Sequence, residues 1–170
     1  MAIRLPRKTE KPENDDLASR IATFLDAHRV MSLATCGPHG SHAANVFYAR
    51  GGLSLFWVSD WQSTHSRNIA INPQVSATIA PDYSDFDEVC GVQIFGEAHQ
   101  LSDAAERDGA RALLATRYPT LQRLSDCPMI EQAYSSAEAY RLVPNRIIMI
   151  DNRRGFGHKD TLDLRPAQKC

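Results

Sequence analysis

The sequence predicts an α+β domain, mainly β, built on a small antiparallel barrel with helices packed on its outside. Three observations carry this. Short strand-like apolar runs outnumber the helical patterns. The first strands follow one another through short turns such as Gly37-Pro38-His39-Gly40 and Gly51-Gly52. Strand and helix do not alternate at even spacing, which excludes a doubly wound parallel sheet and leaves an antiparallel barrel.

The order of elements supports that class. Residues 1–13 are charged, carry two prolines and read as a flexible N-terminal arm; residues 14–170 read as a single domain. Asn14 can cap a first helix, with Asp15 and Asp16 in its favourable first turn. Leu17, Ile21, Phe24 and Leu25 then recur at helical spacing. Residues 30–36 and 41–49 read as strands, and Gly51-Gly52 makes a tight hairpin into a third strand over 53–59, so the three form a meander. A helix follows from Ser63 or Thr64 to Asn72-Pro73, then a strand over 75–80 and an acidic loop over 81–88. Residues 89–100 form a fifth strand, with Gly91 and Gly96 as bulge or close-approach points. Ser102 caps a helix that Tyr118-Pro119 stops, and a short helix lies near 129–134. Residues 137–143 and 146–151 are the last strands, separated by Pro144-Asn145.

Composition narrows the function. A chain of 170 residues with a formal charge of −1 can bury roughly two-thirds of its surface without staples. It offers no basic face for nucleic acid. No apolar run approaches the ~20 residues that span a bilayer, and the charged N-terminus is unlike a signal peptide. Cys36, Cys90, Cys127 and Cys170 are scattered, as reduced thiols would be. The expected setting is cytoplasmic, away from membranes. His39 and His42 lack a third ligand partner, so no metal site is expected.

The chain is organised around residues 56–69, a strand end, a polar turn and a helix start. Ser63, Thr64, His65, Ser66 and Arg67 fill the first helical turn, where free N–H groups and the dipole favour an anion such as a phosphate. The same residues also suit an ordinary capped helix with a solvated first turn. Gln93 stands in an apolar run and needs a partner, either backbone or a ligand. Gly155-Phe156-Gly157 lacks the third glycine of a dinucleotide fingerprint, and no nucleophile or carboxylate pair stands out. Few reactive side chains in an enzyme suggest a cofactor that carries the chemistry.

Taken in order, Asn45-Val46-Phe47-Tyr48, residues 55–59, the run from Ser63 through Asn72-Pro73 to Ser76, and residues 91–98 resemble the FMN-binding split-barrel superfamily of pyridoxamine 5'-phosphate oxidases. Residues 150–159 are similar to its small YhbP-like bacterial branch. The resemblance spans residues 14–164. It implies an antiparallel split β-barrel and a homodimer with FMN at the subunit interface. It places the phosphate at Ser63, Thr64, His65 and Arg67. Val58 and Ser59 would follow the flavin or ribityl chain, Asn45, Val46 and Phe47 would lie beside the ring, and Gln93 would touch it. From the partner copy it implies Gly155, Phe156, His158 and Lys159. Family members often carry Arg-Lys where this chain has Thr64-His65, and the Arg-Leu-x-Pro ending of the authentic oxidases is replaced by Asp163-Leu164-Arg165-Pro166.

The resemblance therefore implies an FMN-dependent oxidoreductase that transfers a hydride between flavin N5 and a small substrate, with vitamin B6 oxidation put in question and no catalytic side chain identified. Two other classes stay open: a flavin-binding carrier or sensor without turnover, and a haem-binding relative with His158 or His42 as ligand.

Overall fold

In the computed structural model, residues 11–165 are described. Most of the arm expected over residues 1–13, and Cys170, lie outside them. Helix α1 (Lys11–Ala27) begins three residues before the expected cap, Asn14. It is followed by β1 (Val30–Gly37), β2 (Gly40–Phe47), β3 (Ala49–Gly51), β4 (Ser54–Ser59), α2 (Thr64–Ile71), β5 (Gln74–Ile79) and β6 (Cys90–Gln100). Then come α3 (Ala104–Arg117), a 3-10 segment (Pro119–Asp126), α4 (Pro128–Ser136), β7 (Glu138–Asp151), a 3-10 turn (Asn152–Arg154) and β8 (Lys159–Asp163).

One antiparallel sheet runs in the order β2-β1-β5-β6-β7-β4-β3, with β8 added to β7. The expected meander is therefore corrected. β1 and β2 form one hairpin, β3 and β4 another, and these stand at opposite ends of the sheet. Only Tyr48 separates the end of β2 from the start of β3. Consecutive Cα atoms are ~3.8 Å apart, so the two ends of the sheet must come together there and the sheet curls into a split barrel. Tyr48 is buried, and its hydroxyl donates to the Leu25 carbonyl at 2.7 Å.

Side chains alternate across each strand. Leu33, Ala77, Ile94, Ile147 and Leu162 are register neighbours that run across the barrel interior. Leu17, Ile21 and Leu25 of α1 join this core. The next register row points outward: Asn45, Ser32, Thr78, Gln93, Ile148 and Thr161. It is a band of mostly small polar side chains.

Two strand readings change. The last strands are one strand, β7, because Pro144 sits where the β6–β7 register shifts. There Gly96 packs so closely that a Cβ would come 2.2 Å from the Val143 carbonyl. A bulge accepts proline because no ladder N–H is needed at that point. β8, where the sequence predicts no strand, pairs with residues 146–150 and buries Leu162. The third helix is capped by Asp103, whose carboxylate accepts from the Glu106 N–H at 2.9 Å, and not by Ser102. No helix among the described residues is long and apolar enough to cross a membrane.

Candidate functional site

A cavity of about 510 Å³ lies between the β2 edge and β4. Its β side is made by Asn45, Val46, Phe47, Val58 and Ser59, joined by His65 of α2. Its other side is helical: Leu114 of α3, then Tyr118, Thr120, Leu121 and Tyr134. Among the described residues, no Lys, Arg, Asp or Glu lines it.

The local sequence explains the floor. β4 ends at Ser59, and Ser63 caps α2 by accepting from the Ser66 N–H at 3.3 Å. The short connection between them brings the His65 imidazole back over the strand end. His65 Nε2 is 2.7 Å from Ser59 Oγ and 3.1 Å from Ser63 Oγ. The His42 ring stacks against it at 6.2 Å. Burial, with His42 adding to it, pushes the His65 pKa below its ordinary value, so the ring is neutral at neutral pH. His42 Nδ1 is buried with no hydrogen-bond partner among the described residues.

Helix α2 is seated by close packing. Asn68 is buried and its Nδ2 donates to Thr35 Oγ1 at 3.1 Å. A Cβ on Gly37 would lie 2.0 Å from Asn68 Oδ1, so a larger residue there would push the Asn68 amide out of its place against Thr35.

The helical wall is also fixed. The Tyr118 hydroxyl sits 2.6 Å from the Tyr48 carbonyl and 2.9 Å from that of Arg29, and the ring meets Phe47 edge-on at 5.6 Å. The Arg117 guanidinium donates to the Leu25, Asp26 and His28 carbonyls, tying the end of α3 to the end of α1. Arg111 donates to the Tyr134 carbonyl at 3.0 Å and to that of Ala137, and stacks on the Tyr134 ring at 4.9 Å.

The residues named from the sequence are thus divided. Asn45, Val46, Phe47, Val58, Ser59 and His65 line one cavity, with Ser63 bonded to its floor. Thr64 and Arg67 are exposed on the first turn of α2, and Arg67 makes no side-chain hydrogen bond or ion pair with the described residues. Gln93 lies on the outward row of the sheet, half-buried, away from the cavity lining. Gly155, Phe156, His158 and Lys159 cluster at the β7–β8 turn, with Phe156 85% exposed and His158 paired to Asp160 at 3.1 Å. The helical wall was missed from the sequence. Its one available signal was the pair of tyrosines, 118 and 134, flanking an irregular stretch.

The comparisons with known proteins agree with this architecture. The family model described as pyridoxamine 5'-phosphate oxidase matches residues 17–147. A UPF0306 protein of Yersinia pestis bv. Antiqua (strain Angola) is 30% identical over 148 residues, covering 86% of this chain and 92% of the relative. Two solved structures share the fold at low identity. A heme binding protein from Mycobacterium smegmatis superposes with a TM-score of 0.68 at 22% identity, over 95% of this chain and 60% of that one. A FAD-binding protein from Mesorhizobium loti gives 0.58 at 19% identity, over 76% and 91%. By the extent of the family match and the shared split barrel, this chain belongs to the pyridoxamine 5'-phosphate oxidase family.

Proposed function

We propose that the chain is a cytoplasmic, FMN-dependent oxidoreductase that works as a homodimer, with the flavin held where the cavity of one copy meets the outward sheet face of another. The observation that carries this reading is the cavity itself. Apolar walls from Val46, Phe47 and Val58 meet a floor of hydroxyls and a neutral imidazole. Such a lining fits a flat heteroaromatic ring that needs both apolar faces and edge hydrogen bonds. The buried His42 Nδ1 beside the floor, without a hydrogen-bond partner among the described residues, is a further polar atom that a ligand could satisfy.

Bound FMN would supply hydride transfer at N5 to or from a small substrate. The chain's own part is to hold and orient it. Thr64 and Arg67 lie on the first turn of α2, where the helix dipole and the guanidinium favour the phosphate. Gln93, Phe156, His158 and Lys159 lie outside this cavity and belong, on this reading, to contacts with the partner's flavin.

Two other readings compete: a flavin carrier or sensor without turnover, and a haem protein using the His42 nitrogen. The test is the visible absorption spectrum of the purified protein before and after adding FMN, followed by anaerobic addition of NADH or NADPH. Flavin bands that shift on binding and bleach with a nicotinamide support the oxidoreductase. Bands that shift but never bleach with any donor favour the carrier. A Soret band assigns haem, and a colourless protein indifferent to FMN removes the cofactor altogether.

A further inference from the structure

The helical half of the cavity has its own chemistry. Tyr118 and Tyr134 supply aromatic surface, Leu114 and Leu121 supply apolar surface, and Thr120 supplies a hydroxyl. Neither the Thr120 nor the Tyr134 hydroxyl makes a hydrogen bond with the described residues, whereas the Tyr118 hydroxyl is bound to two backbone carbonyls. One ring is therefore fixed as a wall, and two hydroxyls remain as donors.

Three of the cations near this wall are occupied. Arg111, Arg117 and Arg29 all donate to backbone carbonyls, and each stacks on a tyrosine ring. Arg111 covers one face of Tyr134, which leaves the other for a ligand. Among the described residues, no guanidinium or ammonium lines the cavity to meet an anion, and no carboxylate lines it to meet a cation. A charged group placed there would lose its hydration without gaining a partner. A flat neutral ring would gain stacking on side chains that are already ordered.

The geometry points to an uncharged, planar aromatic carbonyl compound as the class of small molecule bound against Tyr118 and Tyr134, its carbonyl oxygen accepting from Thr120 or Tyr134. This deepens the proposed function, since it names the substrate side of a cavity whose β half is assigned to the flavin. It sets phosphorylated substrates aside.

Two probes with the same ring separate charge from shape: 2-acetylnaphthalene, a neutral ketone, and 2-naphthoate, its anionic counterpart. Each is titrated by calorimetry into the full chain, with and without saturating FMN. The ketone is expected to bind at least about tenfold more tightly than the carboxylate. Tyr134→Leu, on an exposed helix, is expected to weaken the ketone by about tenfold while leaving FMN affinity unchanged. Equal or tighter binding of the carboxylate overturns the assignment, and so does a Tyr134→Leu protein that binds the ketone as before. Ketone binding by a chain that ignores FMN overturns the flavin reading and leaves the aromatic wall standing. FMN binding without ketone binding does the reverse.

Discussion

Ser59 Oγ lies 2.7 Å from His65 Nε2, at the point where β4 ends and α2 begins. The bond closes the floor of the cavity with neutral partners. Protonating His65 would place a charge in a buried site, beside His42, with hydroxyls as its nearest hydrogen-bonding partners. Because burial holds the folded pKa below the ordinary 6.5, the unfolded chain binds more protons in the window just below 6.5. Stability from this group is complete above that value and is lost as pH falls through the folded pKa. We expect the thermal midpoint to drop as pH falls below 6.5, and His65→Gln to flatten that drop. A His65→Gln protein with the wild-type pH profile would assign the acid sensitivity elsewhere.

Arg67 is exposed on the first turn of α2 and free of intramolecular partners among the described residues. Arg67→Ala should therefore leave the thermal midpoint where it is and weaken FMN by about tenfold, the effect of one charge-assisted contact at a solvated edge. Unchanged affinity in a fluorescence titration would move the phosphate away from this turn.

The outward row of the sheet tests the second copy. Thr78 stands between Ser32 and Gln93 in that row. Thr78→Arg should give a monomer by light scattering and lose FMN with it, because like charges would meet across a two-fold contact. Gln93→Leu should keep the dimer but alter the flavin spectrum or affinity. If both variants bind FMN as the wild type does, the flavin site is complete within one chain.

Gly96→Ala tests the bulge. The new methyl would meet the Val143 carbonyl at 2.2 Å and Pro144 Cα at 2.9 Å, both backbone atoms that cannot swing aside. A loss of about 1–3 kcal/mol in urea unfolding is expected. A neutral result would mean that β6 and β7 separate there at little cost.

Periodicity made much of the fold legible. The spacing of Leu17, Ile21 and Leu25 marks a face that α1 buries, and Ser63 with Asn72-Pro73 brackets α2. Strand alternation placed β1, β5 and β6 within a residue or so of their ends. What local pattern cannot carry is pairing. The β1–β2 and β3–β4 hairpins follow one another in sequence yet sit at opposite ends of the sheet. Pro144 read as a break because proline usually is one, and only the facing Gly96 shows why the strand runs on. β8 was passed over because Lys159, Asp160 and Asp163 dominate it and only Leu162 is buried.

The candidate site divides in the same manner. Its β half was reached by residue-level resemblance around a recognisable strand–turn–helix. Its helical half was not, because Tyr118, Thr120, Leu121 and Tyr134 share a wall only through the path of the chain after α3. Tyr118 was read as a helix stop, which it is; that its ring also lines the cavity is a fact of tertiary packing.

The single-residue passage at Tyr48 has a consequence for how this chain can change length. Two hairpins that belong to different sheet edges are spliced there with no slack, and the splice is pinned by the Tyr118 hydroxyl and by the Tyr48 N–H donating to the Arg29 carbonyl at 3.2 Å. An inserted or deleted residue would shift one hairpin against the other and reverse the in-out alternation of everything beyond it. The hairpin tip at Gly52-Leu53, only a few positions on, has no such duty. Length variation, new termini and grafted loops therefore belong at the tip, while position 48 acts as a fixed gauge that sets the width of the split.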